Sequence, residues 1–201
     1  MNELLRALRD TGLLQFGRFE RNGSMVPWRL GADYLAAYPD VLRLAAGQIG
    51  TLLAQYPVDR LIAAPEAVVL GVAVTLHTGL PLVYSRGRGE AAAYDLVGAY
   101  DSGHRAAVIV NVFEHRNTPQ HLINEARSVG LRVERIVSLL DLEDAATSGE
   151  QPPVQALLTL RGAVMALEAD GWLPLHQRQA VLRWIEDQRT EVIRHRDEAA
   201  P

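Results

Sequence analysis

The residues with the most chemistry within reach of one another lie in the stretch Arg105 to Thr118, read Arg-Ala-Ala-Val-Ile-Val-Asn-Val-Phe-Glu-His-Arg-Asn-Thr. Asn111, His115, Arg116, Asn117 and Thr118 bring two amides, an imidazole, a guanidinium and a hydroxyl close together. Such donors suit phosphate oxygens, and the planar guanidinium suits them best. The surrounding order gives that chemistry a place. Ala106 to Val110 is a short apolar run rich in β-branched residues, as in a strand buried on both faces of a parallel sheet. Thr118-Pro119 reads as a helix start, because Thr caps free N–H groups and Pro fits the first helical position. Leu122, Ile123, Ala126 and Val129 recur at helical spacing, and Gly130 ends the helix. A turn between strand and helix lies at the carboxyl end of an open α/β sheet, where ligands bind. N–H groups at the helix start favour an anion there.

Other reactive side chains are weighed against plainer roles. Arg86, at the end of an expected strand, either reaches an anion or is solvated. Asp141 at a strand end is most simply a turn or cap residue. The six-residue spacing of His115 and His121 does not place both on one helical face, so no metal site is expected. Trp28, Trp172 and Trp184 read as packing, and the charges from Glu186 to Arg196 as a solvated helix face. Gly87-Arg88-Gly89 is too short to count as a phosphate motif.

Composition narrows the classes. The 201 residues suggest one compact unit, and 48% hydrophobic content suffices for a sizeable core. The net charge of −4, without a basic stripe, argues against a nucleic-acid partner. No apolar run is long enough for a membrane span, and the N-terminal order is not that of a signal peptide, so a cytoplasmic location is expected. Cys is absent, which excludes disulfides and thiolate chemistry. Lys is absent too: all 20 basic residues are Arg, so no step needing a tunable amine is open.

The elements that must position these residues follow from periodicity. Leu4, Leu5 and Leu8 mark a first helix ended by Gly12. Leu14 to Glu20 and Met25 to Leu30 form a hairpin about Asn22-Gly23. A helix is expected over 39–55, a strand over 61–64, a helix over 66–77 that is apolar nearly all round, and a strand over 80–84. A short strand within 94–99 precedes the central unit, and 133–140 follows it as a strand. After a linker over 145–153 come a short strand at Leu157-Leu158 and helices over 161–169 and 175–193, with a frayed charged tail from Arg194. Alternating strands and helices imply βαβ units and a parallel sheet. Three parts are expected in one compact unit: residues 1–35 (helix and hairpin), 36–145 (α/β core) and 146–201 (strand and helical extension).

In this order the chain resembles orotate phosphoribosyltransferase, a type I phosphoribosyltransferase. The likeness runs from about Leu4 to Leu160. It is carried by Thr11-Gly12-Leu13-Leu14-Gln15-Phe16-Gly17-Arg18-Phe19, by Asn22-Gly23 to Pro27-Trp28, and by the Ala64-Pro65 turn. Leu80-Pro81-Leu82-Val83-Tyr84 through Arg86, Leu96-Val97-Gly98, Val108-Ile109-Val110 and Leu139-Leu140-Asp141 complete it. The resemblance implies a parallel sheet flanked by helices, an N-terminal β-hairpin hood, C-terminal helices and a homodimer. It also implies transfer from phosphoribosyl pyrophosphate (PRPP), with Mg²⁺ on the pyrophosphate.

The family's reacting groups are changed here. Its two acids, which hold the ribose hydroxyls, match Asn111 and Val112. Its Thr- and Gly-rich phosphate turn matches His115-Arg116-Asn117-Thr118, where only Thr118 keeps the hydroxyl. Its pyrophosphate loop, with Lys and Gly, matches Ala67-Val68-Val69. Its catalytic loop, with a Lys, matches Gly87 to Ala93, which holds Arg88 and Glu90. The expectation is a divergent relative with no catalytic residues and no cofactor of its own. A residual phosphate or nucleotide site is expected at Asn111, His115, Arg116, Asn117, Thr118 and Arg86, for a small phosphorylated metabolite, or else a scaffolding role. The alternative is an active phosphoribosyltransferase of pyrimidine metabolism with a rearranged site, and only then would Mg²⁺ accompany PRPP.

Overall fold

The computed structural model of the chain describes residues 2–21, 23–87, 95–114, 119–142 and 152–199, with side chains described to residue 190. Helix α1 (Glu3–Asp10) starts where the Asn2 side chain accepts the Leu4 N–H at 2.8 Å, and it buries Leu4, Leu5 and Leu8. Strands β1 (Leu14–Arg21) and β2 (Ser24–Leu30) pair antiparallel as the hood hairpin. A 3-10 turn over Ala32–Ala37 leads into α2 (Pro39–Leu53).

The main sheet has the order β5-β4-β3-β6-β7-β8. Its strands are β3 (Arg60–Ala63), β4 (Leu82–Ser85), β5 (Leu96–Val97), β6 (Arg105–Phe113), β7 (Arg132–Asp141) and β8 (Val154–Thr159). All pair parallel except β5, which runs antiparallel to β4. The interior strands are apolar along their length because helices cover both faces. Ala106 to Val110 of β6 and Ile136, Val137, Leu139 and Leu140 of β7 are buried. Helix α3 (Val68–Thr78) lies on β3, and it can do so because residue 71 is Gly. A Cβ there would come 2.9 Å from the Ala63 Cβ. Helices α4 (Gln120–Ser128), α5 (Leu160–Ala169) and α6 (Leu175–Ala199) complete the fold. Trp184 of α6 meets Trp28 of the hood edge-on, with ring centroids 5.9 Å apart, and so docks the hairpin on the C-terminal helices. No helix among the described residues is long and apolar enough to cross a membrane.

Several expectations are corrected. Strand β6 does not stop at Val110 but runs to Phe113, because Val112 and Phe113 pair with Leu140 and Asp141 of β7. Pro119 is the cap residue of α4 and the helix starts at Gln120, while Thr118 lies outside the described residues. Helix α6 continues to Ala199, past the expected end at Ile193. Helix α3 is apolar all round, yet only Leu70, Gly71 and Val74 are buried; Val69, Val72 and Leu76 are exposed. Trp172 is 61% exposed rather than core, and the Arg9 guanidinium stacks 3.7 Å from its ring.

Candidate functional site

The strand order reverses between β3 and β6. The chain leaves β3 for β4 on one side and leaves β6 for β7 on the other. Such a switch point opens a crevice at the carboxyl ends of the strands. A cleft of about 620 Å³ lies there, bounded by the ends of β3, β4 and β6, the start of α4 and the hood. Leu30, Ala64, Val110, Val112 and Leu122 supply apolar wall.

Asn111 lines this cleft and is only 4% exposed. Its Nδ2 donates to the backbone carbonyl of Glu66 at 2.5 Å. A carbonyl can only accept, so the bond fixes which end of the amide is which. The Oδ1 is buried and meets no donor among the described residues. Glu66 belongs to the 3-10 turn Pro65–Ala67 that carries the chain from β3 into α3. Its carboxyl is held above the ordinary value. Lost hydration is the main cause; its own backbone N–H opposes the shift and the charge of Asp33 adds to it. Asp33 reaches the same cleft from the turn after the hood.

At the other side the Asp95 carboxylate, 4% exposed, accepts the Ser85 hydroxyl and, at 2.8 Å, the Gly87 N–H. The Asp95 N–H donates to Glu125 Oε1 at 2.9 Å, which ties the start of β5 to α4. Across the mouth, Arg21 of the hood forms an ion pair with Glu114 just past β6. The described lining therefore carries four carboxylates, Asp33, Glu66, Asp95 and Glu114, against Arg21 and His121. Attraction for a pyrophosphate would need the opposite sign.

The expected site residues separate. Asn111 is in the cleft, and its neighbour Val112 adds a hydrocarbon face. Arg86 is exposed and is not among the residues lining the cleft. His115, Arg116, Asn117 and Thr118 lie outside the described residues, as do Arg88 to Ala93 of the loop matching the catalytic one. Sequence reasoning missed Asp33, Glu66, Asp95, Ser85 and the Arg21–Glu114 pair. They come from separate turns and strand ends, and only the folding of these onto one cleft unites them.

Comparison with solved structures places this architecture. The structure of Leishmania donovani UMP synthase superposes with a TM-score of 0.79 and 25% identity, over 92% of this chain and 42% of that one. The present chain thus spans well under half of that protein. Orotate phosphoribosyltransferase from Francisella tularensis gives a TM-score of 0.68 at 15% identity, over 92% of this chain and 98% of that one. The enzyme from Aeropyrum pernix gives 0.63 at 20% identity, over 84% and 99%. No protein-family model matches the chain.

Proposed function

We infer that this chain, which has an orotate phosphoribosyltransferase-like type I phosphoribosyltransferase fold, does not transfer phosphoribosyl groups and keeps its cleft for binding or scaffolding. One observation carries the reading: at the end of β6 the Asn111 amide is committed to the Glu66 carbonyl, with Val112 beside it. Phosphoribosyl transfer needs anionic oxygens there to hold the ribose hydroxyls as positive charge develops on the sugar. An amide turned inward and an isopropyl group supply neither. The residues present do not fit Mg²⁺-bound PRPP either, since Asn111 and Val112 offer no carboxylate at the end of β6 and no group of three metal-ligating side chains converges among the described residues. A residual site for a small phosphorylated metabolite rests on the sequence of His115 to Thr118 and the start of α4, in a cytoplasmic setting. Loss of thermal stabilisation by phosphate on Arg116→Ala tests that part.

The reading includes a homodimer. Val69, Val72 and Leu76 form one exposed stripe on α3, with Leu76 83% exposed, and an isologous contact would cover it. Calorimetric titration of PRPP with Mg²⁺ tests the central point. The expected result is no heat of binding at micromolar to low millimolar concentration. Saturable binding that Asn111→Leu abolishes would overturn it.

A further inference from the structure

The hood hairpin is divided by an irregularity. Phe16 pairs with Trp28 and Phe19 with Val26, so Gly17 and Arg18 stand opposite Pro27 alone. Such a bulge bends a strand, and Pro can donate no ladder bond across it. The two sides of the bulge are held differently. On the body side Leu14, Phe16, Trp28 and Leu30 pack into the core, and Trp184 anchors Trp28. On the tip side Val26 is buried but, like Phe19, lies outside that core. Both face a cavity of about 220 Å³, which shares Arg21, Leu30 and Val112 with the main cleft. Side chains against a cavity lack packing partners on that side. What fastens the tip is the Arg21–Glu114 ion pair, which joins it to the end of β6 with both side chains partly buried. Among the described residues no other ion pair ties the hairpin to the main sheet.

We propose that the tip of the hood is a lid, hinged at Gly17, Arg18 and Pro27 and latched over the cleft by Arg21 and Glu114. Breaking the pair lifts Phe19 and Val26 from the cavity beneath and opens the cleft from the hood side. The anchor lies outside the moving part, because Trp28 pairs with Phe16 on the body side of the hinge. The lid therefore moves without unpacking the hood from the C-terminal helices. A partly exposed ion pair suits a latch, since its modest contribution lets it break and re-form readily. The Arg21 guanidinium also lies 5.4 Å over the Trp28 ring, which gives it a second contact when Glu114 is released. The lid holds for any occupant of the cleft and does not depend on the transfer reading.

The chain has no Cys, so one introduced thiol reports alone. Val26→Cys places it on the lid facing the cavity, and its rate of alkylation by N-ethylmaleimide measures opening. Glu114→Gln and Arg21→Met, each added to this background, are expected to speed alkylation about two- to fivefold. Added salt should speed it in the parent and less in either variant. Exchanging the charges, Arg21→Glu with Glu114→Arg, should restore the slow rate. The two single variants change the local charge in opposite senses, so a direct electrostatic effect on the thiol would move their rates in opposite directions. That outcome would overturn the proposal, as would rates indifferent to both variants. Val137→Cys, fully buried in β7, is the reference for general loosening, and equal acceleration there would also overturn it. Circular dichroism checks folding, and Phe19→Cys, on the same cavity, is the second reporter if Val26→Cys does not fold. Because no arm contains PRPP, these outcomes stand apart from the fate of the transfer reading.

Discussion

Asn111 is bonded to the backbone carbonyl of Glu66, whereas the Glu66 carboxyl responds to its lost hydration and to Asp33. The Glu66 pKa is raised in the folded state above its ordinary 4.5. A group raised in this way contributes fully below its unfolded pKa, and that contribution is lost as pH rises through the folded one. Glu66→Gln should therefore raise the midpoint of thermal unfolding near pH 7, and the gain should vanish below about pH 4.5. A scan of Tm against pH for both proteins checks this. Asp59 has the opposite sign. The Arg105 side chain donates to it at 3.0 and 3.1 Å and the Arg105 backbone N–H at 2.9 Å. These bonds hold its carboxyl well below the usual range. Its contribution is present above its ordinary value of 3.8 and is lost as pH falls through the lower folded value. Asp59→Asn should lower Tm slightly near neutrality, and the difference from wild type should close in strong acid. An unchanged difference down to pH 2 would contradict the assignment.

Packing of whole elements decides how the cleft is held. Helix α3 reaches β3 only because Gly71 has no Cβ, so Gly71→Ala should cost about 1–3 kcal/mol by overpacking. Denaturant unfolding measures this, and a neutral result would mean that α3 shifts freely on the sheet. The hood depends on Trp28 against Trp184, and Trp28→Ala should cost about 3–5 kcal/mol. Much of this layout was legible in sequence, because buried parallel strands and amphipathic helices differ in period. The hairpin, α2, β7 and the central strand and helix fall close to where periodicity puts them. The misses have physical causes. Beyond Val110 the polar Asn111 ends the apolar run, but pairing with β7 prolongs the strand. An all-apolar helix looks interior, yet only one face of α3 meets the sheet. Trp172 follows Gly171 in a turn, and nothing local reveals that Arg9, from the other end of the chain, covers its ring. In the cleft, Asn111 could be read from its place after a buried strand. Asp33 and Glu66 could not, because each belongs to a short turn whose direction is set by tertiary packing.

For the assembled chain, the exposed α3 stripe makes oligomeric state a consequence of surface chemistry. Leu76→Arg places a charge on the most exposed residue of that stripe and should shift sedimentation toward the 22.1 kDa monomer. A wild type that sediments as monomer at micromolar concentration would remove the dimer from the account. The fold is orotate phosphoribosyltransferase-like, and on the reading proposed above the carboxylates of the described wall and the Asn111-Val112 end of β6 do not suit phosphoribosyl transfer. Losing one stabilising donor at a reacting centre costs about 10²–10³ in rate, and here several groups are replaced together. The most direct measurement is the formation of orotidine monophosphate from orotate, PRPP and Mg²⁺ by the purified chain. The account predicts no turnover above the protein-free background. Turnover that Asn111→Leu abolishes would contradict it.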